Sequence, residues 1–181
     1  MFKKYLLPLI AGTVFAAVIP STKAIDTGTI TFTGKIVPDT CNVKVNDAGA
    51  DGTVMFKTLS QTSFGVDQQV GDRQPFKITV SDCDATTINK LNIKFTGTRI
   101  EGYGDQILAT TAADTNLGVR IAPENTSNYI KFDGSASTLD KIVVQGQDAV
   151  FNYVAEVVQV GSVLPKTGDY SAQATYTLLY P

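Results

Sequence analysis

The chain has 181 residues, with 15 Lys and Arg against 17 Asp and Glu, two Cys and no His. A formal net charge of −2, without a basic cluster interleaved with aromatics, leaves no electrostatic footprint for nucleic acid. Without histidine there is no Ser–His–Asp triad and no imidazole-held zinc or copper, and no phosphate or dinucleotide loop is present, so neither an enzyme nor a metal or other cofactor is expected.

Met1-Phe2-Lys3-Lys4 opens the chain, followed by an apolar run from Tyr5 to Ile19 and then Pro20-Ser21-Thr22-Lys23-Ala24. A short basic start, an apolar stretch and small residues at its end read as a secretory signal peptide over residues 1–24. The apolar run is short for a membrane span and holds Pro8 and Gly12, so removal is favoured over a retained anchor and no membrane insertion is expected. Losing three lysines with the signal leaves 12 basic residues against 17 acidic ones, a net charge of about −5 on a mature chain of one domain's length.

From Ile25 onward, short β-like runs alternate with turn residues. In the first, Gly28, Ile30 and Phe32 share one parity while Thr27, Thr29, Thr31 and Thr33 take the other, which is a strand with one buried face. Gly34 then allows a hinge before Lys35-Ile36-Val37. Taken alone, this run also fits the first strand of the domain's own sheet. Further strands are expected at 41–45, 54–56, 75–80, 91–95, 117–121, 129–132 and 149–160, with Gly, Asn, Asp and Pro between them. Residues 101–116 read as a surface excursion with room for one short strand. Asp82 and Asp84 flank Cys83 as solvated turn residues. Many short strands at fairly regular spacing indicate an all-β sandwich. Cys41 and Cys83 are an even pair in an exported chain and read as an intrachain disulfide, while a reactive or metal-binding thiol finds no histidine to support it.

The last fourteen residues alternate most strictly. Tyr170, Ala172, Ala174, Tyr176, Leu178 and Tyr180 point one way, and Asp169, Ser171, Gln173, Thr175 and Thr177 point the other. Gly168 stands fourteenth from the end and Tyr180 is penultimate.

This ending, with the Gly28-to-Val37 run leading to Cys41, resembles the two ends of mature type-1-like pilins, the fimbrial subunits assembled by the chaperone–usher route. What the resemblance implies is an all-β, incomplete immunoglobulin-like sandwich lacking its last strand, with an N-terminal donor-strand extension. Residues 25–34 would be that extension and residues 35–181 the pilin domain. Gly28, Ile30 and Phe32 would enter a neighbour's groove, with Asp26 or Ile25 making the outermost contact. Gly168, Tyr170, Ala172, Ala174, Tyr176, Leu178 and Tyr180 would border the groove and meet the chaperone. The implied partners are a periplasmic chaperone, an outer-membrane usher and neighbouring pilin subunits, and the implied destination is a fimbria on the cell surface. A major, shaft-forming subunit is the first expectation. A minor or adhesive subunit and a free-standing secreted sandwich are the alternatives.

Overall fold

The structure, a computed structural model, describes Thr31, Thr33, residues 41–111 and residues 115–181. From Cys41 onward these belong to one compact unit. The signal peptide and the proposed donor residues Gly28, Ile30 and Phe32 lie outside the described residues, while Thr31 and Thr33 between and after them are exposed.

Nine strands among the described residues build the unit: β1 (Asn42–Val45), β2 (Val70–Ser81), β3 (Lys90–Gly97), β4 (Leu108–Ala109), β5 (Leu117–Pro123), β6 (Asp133–Ala136), β7 (Lys141–Ile142), β8 (Ala149–Gln159) and β9 (Ala174–Leu179). Helix among the described residues is limited to a 3-10 turn at Gln61–Ser63. One sheet runs β1-β2-β8-β5-β4, and the other is built on β3, which pairs with β6, β7 and β9. All these pairings are antiparallel. β9 takes one edge of β3 from Asn92 to Gly97. β6 pairs with the same stretch at Lys94 and Thr96, so it must occupy the other edge.

The strand directions define two ends. At the first lie Asn42 opposite Ser81, Val80 opposite Ala149, and Lys90 opposite Ile142. At the second lie Leu117 opposite Gln159 and Val70 opposite Val158. We refer to them as the Cys41 end and the Leu117 end.

Alternation in the sequence becomes the core between the sheets. Phe76, Ile78 and Val80 of β2, Phe151 and Tyr153 of β8, Val119 and Ile121 of β5, and Leu91, Ile93 and Phe95 of β3 are all buried in one cluster. Fully burying such side chains contributes about 1.5–3 kcal/mol each. The Tyr153 ring joins the layers, stacked on Phe76 at 5.4 Å and edge-on to Phe95 at 5.5 Å. Pro75 fits inside β2 because β1 pairs only with Ile78 to Ser81, so the missing N–H is not needed on that side. At Gly71, beside an irregular step in the β2–β8 register, a Cβ would stand 2.4 Å from the Phe64 ring.

The outward face of the larger sheet carries a charge network. Glu156 of β8 accepts from Arg120 of β5 at 2.7 Å and pairs with Arg73 of β2 at 2.9 Å. The Arg120 guanidinium lies 4.0 Å above the Tyr129 ring. Arg120 and Glu156 are buried, so each charge depends on the other.

Several expectations need correction. Val54 to Phe56 is not a strand, although its inside–outside alternation holds: Val54 and Phe56 pack on the core while Met55 is 80% exposed. Tyr129 to Phe132 is irregular too, and pairing starts only at Asp133, in β6. β2 begins at Val70, earlier than Pro75, because β8 extends far enough to pair with it. As its sequence allowed, the excursion at 101–116 holds one short strand, β4, which couples the two sheets through Arg99 opposite Leu108. Asp82 and Asp84 bond locally, Asp82 accepting from Asn42 at 2.7 Å and Asp84 from the Thr86 N–H at 2.9 Å.

Candidate functional site: an open groove beside the C-terminal strand

The C-terminal segment keeps the alternation read from its sequence. Asp169, Ser171, Gln173, Thr175 and Thr177 are exposed, and Tyr170, Ala172, Ala174, Tyr176, Leu178 and Tyr180 are half-buried. Ladder pairing covers only Ala174–Leu179. Before it the chain is held by the Thr111 N–H donating to the Ser171 carbonyl at 2.7 Å. Gly168 opens the segment at φ +137°, where a Cβ would meet no atom within 4 Å. Glycine is needed there for its backbone conformation, since L side chains rarely adopt that φ.

The inward residues of this segment reach the core without being closed into it. Ala172, Ala174, Tyr176, Leu178 and Tyr180 pack against the main cluster but stay partly exposed. Inward residues of β3 and β8, by contrast, are buried. The cause is topological: β3 covers one edge of β9, and among the described residues no strand pairs with the other.

Residues 50–59 run antiparallel to this free edge on its far side. The Tyr176 hydroxyl donates to the Ala50 carbonyl at 2.6 Å, and the Tyr170 and Phe56 ring centroids are 6.5 Å apart. Among the described residues no backbone hydrogen bond joins 50–59 to 170–178. The two segments are therefore spaced by side chains, at more than the ~4.8 Å that separates paired strands. Val43, Val54 and Phe56 form the apolar lip on that side, again half-buried against the core. The result is an apolar furrow between β9 and residues 50–59, along which no described strand pairs with the free edge of β9. Burial raises the Tyr170 and Tyr176 hydroxyl pKa values, with Asp72 and Asp51 adding to the shift, so both hydroxyls are neutral at physiological pH.

Cys41 and Cys83 are bonded at a Cα separation of 4.5 Å. The bridge ties the start of β1 to the connection between β2 and β3. It therefore anchors the lip side of the furrow, where β1 has β2 as its pairing partner. Among the described residues no three potential metal-binding side chains come together, and no helix is long and apolar enough to cross a membrane. Two features escaped the sequence reading. The lip of Val43 and Phe56 has too short a pattern to stand out. The Arg120–Glu156 pair did leave a signal, a lone charge in each of two apolar strands.

Comparison with known proteins places the chain in a family. A family model described as "Fimbrial protein" matches residues 30–181. The "Probable major fimbrial subunit LpfA" of Escherichia coli O157:H7 is 32% identical over 181 residues, covering 96% of this chain and 92% of that protein. The "Type-1 fimbrial protein, A chain" of Salmonella typhi is 28% identical over 180 residues, covering 96% and 93%. Among solved structures, the P pilus rod subunit PapA shares the fold with a TM-score of 0.64 at 24% identity, over 79% of this chain and all of that one. A chaperone–usher pilus subunit gives the same score at 23% identity over 92% of this chain. The chain belongs to the fimbrial protein family and is a structural pilin.

Proposed function

We propose that this pilin polymerises by strand donation along the chaperone–usher route. Residues 25–33 of one subunit fill the furrow of its neighbour after a periplasmic chaperone has held it open. An outer-membrane usher then passes the growing fibre to the cell surface. The observation that carries this reading is the half-open inward face of β9 beside its unpaired edge. A sandwich in that state exposes both apolar surface and a pairing template. Strand addition answers both needs, with main-chain hydrogen bonds along the edge and alternate side chains in the furrow.

Gly28, Ile30 and Phe32 supply the alternation that such a furrow accepts, and their threonine neighbours suit the outer side. A slip of one residue would turn the threonines inward, so parity sets the register. Burying Ile30 and Phe32 contributes about 1.5–3 kcal/mol each. Gly28 meets the furrow where bulk is not tolerated, so Gly28→Leu obstructs insertion.

The test is deletion of residues 25–33 with the signal peptide retained. The truncated subunit is expected in the periplasm bound to its chaperone, yet unable to extend a fibre as donor. Its disappearance from the periplasm while chaperone is abundant would mean that the segment belongs to its own domain's core. A free-standing sandwich would then be the better reading.

A further inference from the structure

We propose that successive subunits also meet end to end: an apolar patch at the Leu117 end of one subunit seats against a second apolar patch at the Cys41 end of the next. The proposal rests on the strand-donation reading and adds the surfaces that touch outside the furrow.

Six large apolar side chains stand exposed among the described residues, and five of them lie at the two ends. Val66, Val163 and Leu164 are 64%, 65% and 46% exposed, on loops at the Leu117 end. Ile142 and Val144, 78% and 48% exposed, are at the Cys41 end. Neither patch sits on slack chain. At the Leu117 end, buried Gln159 donates to the carbonyls of Gly161 and Val163, and Asn116 donates to that of Leu164. The Gly161 N–H donates to Asp67 at 2.7 Å, which joins the two loops, and the Val66 N–H donates to Gln69 within its own loop. At the Cys41 end, Val143 is buried between the two exposed residues, and Gln145 accepts from the Ala85 N–H. Apolar side chains fixed in water by polar scaffolding give up little entropy when a partner covers them.

Geometry decides which ends meet. Seven residues separate Thr33 from Cys41, eight steps along the chain with a reach of at most about 29 Å. The eleven residues of β8 span about 36 Å at ~3.3 Å each. The donating subunit therefore sits at the end of the furrow where its strand leaves, because the link cannot reach the far end. A strand inserted parallel to β9 would leave at the Cys41 end, the end from which the acceptor sends out its own extension. Both neighbours would then crowd one end and growth would stop. An antiparallel strand leaves at the Leu117 end, so the two neighbours take opposite ends and the chain of contacts continues. The Leu117 end of each acceptor then faces the Cys41 end of its donor. This is a heterologous contact, the kind that builds open filaments.

The test is a charge cycle in the full chain, assembled in cells with its chaperone and usher. Val163→Lys and Ile142→Glu are each expected to shorten fibres and lower their yield several-fold. Combined in one chain they place Lys against Glu at every junction and restore length. A peptide of residues 25–36, added to each refolded subunit, reports on the furrow alone and is expected to raise the melting temperature of all four proteins alike. Equal peptide stabilisation with full-length fibres from both single variants overturns the end contact. So does a double variant no better than the worse single one. Failure of the peptide to stabilise the unaltered subunit removes strand donation instead, and the geometric argument falls with it.

Discussion

β8 and β9 carry similar alternating sequences and meet different fates. β8 lies between β2 and β5, and Phe151, Tyr153 and Val157 on its inward face are at most 1% exposed. β9 has β3 on one edge, and its inward Ala174, Tyr176 and Leu178 remain partly exposed. The difference lies in what covers each strand and not in its own pattern. A strand in the sheet interior is completed by its own chain, while the last strand here waits for something to complete it. On the strand-donation proposal, that separates the molecule into a part whose stability is its own and a part whose stability depends on a partner.

The largest expected effect falls on the completed part. Phe151→Ala empties a fully buried site and should cost about 3–5 kcal/mol. Unfolding in denaturant should show the same loss whether or not a donor peptide of residues 25–36 is bound. A loss that depends on the peptide would erase the distinction between the two strands. Next is the disulfide. Replacing both Cys41 and Cys83 with Ala should cost about 4 kcal/mol by the loop-closure argument. Hydrogen exchange should rise first in β1, which the bridge anchors beside the furrow, and only later in β8.

Leu178→Ala gives the sharpest contrast. In the empty subunit Leu178 is half-exposed, so its truncation should cost about 1 kcal/mol. With peptide in the furrow the same side chain is buried, and the cost should approach the 2–5 kcal/mol of an interior leucine, as a matter of order of magnitude. Equal costs in the two states would mean that the furrow is not where the peptide binds. Leu178→Asp carries the same test into the cell. An unpaired charge facing the apolar furrow should abolish chaperone capture, and normal periplasmic levels of that variant would count against the role given to β9.

The contrast also explains what could be read in advance. β3, β5, β8 and the C-terminal segment announced themselves because a buried face imposes period two on the residues that make it. β6 and β7 did not. Asp133–Ala136 and Lys141–Ile142 are short and owe their pairing to β3, a long-range cause that leaves no local pattern. Val54 to Phe56 failed in the opposite way. Its alternation is real, yet it faces the furrow and pairs with no backbone among the described residues that would make it a strand. The open furrow itself was implied only by resemblance, because alternation shows that a face is apolar and is silent on how many neighbours cover it.

The smallest expected effect lies where β8 leaves the sheet. Asp67 accepts from the Tyr103 hydroxyl at 2.8 Å and from the Gly161 N–H at 2.7 Å. The Tyr103 bond is the larger cause, and together they hold the Asp67 carboxyl below its ordinary value against a weak opposing effect of burial. Because the folded value is depressed, the contribution of these bonds is complete above the unfolded carboxyl pKa of about 3.9 and is lost as pH falls through the lower folded value. Acid well below the ordinary carboxyl range should therefore loosen the loops that carry Val66 and Val163 while β8 and β9 stay paired. The Gly161 amide resonance would report it, moving as pH falls through the depressed folded value of Asp67 and not at the ordinary carboxyl value. In Asp67→Asn the side-chain oxygen can still accept but no longer titrates, so that movement should vanish. If the resonance moves equally in both proteins, the acid response comes from elsewhere and Asp67 is not what holds the loops together.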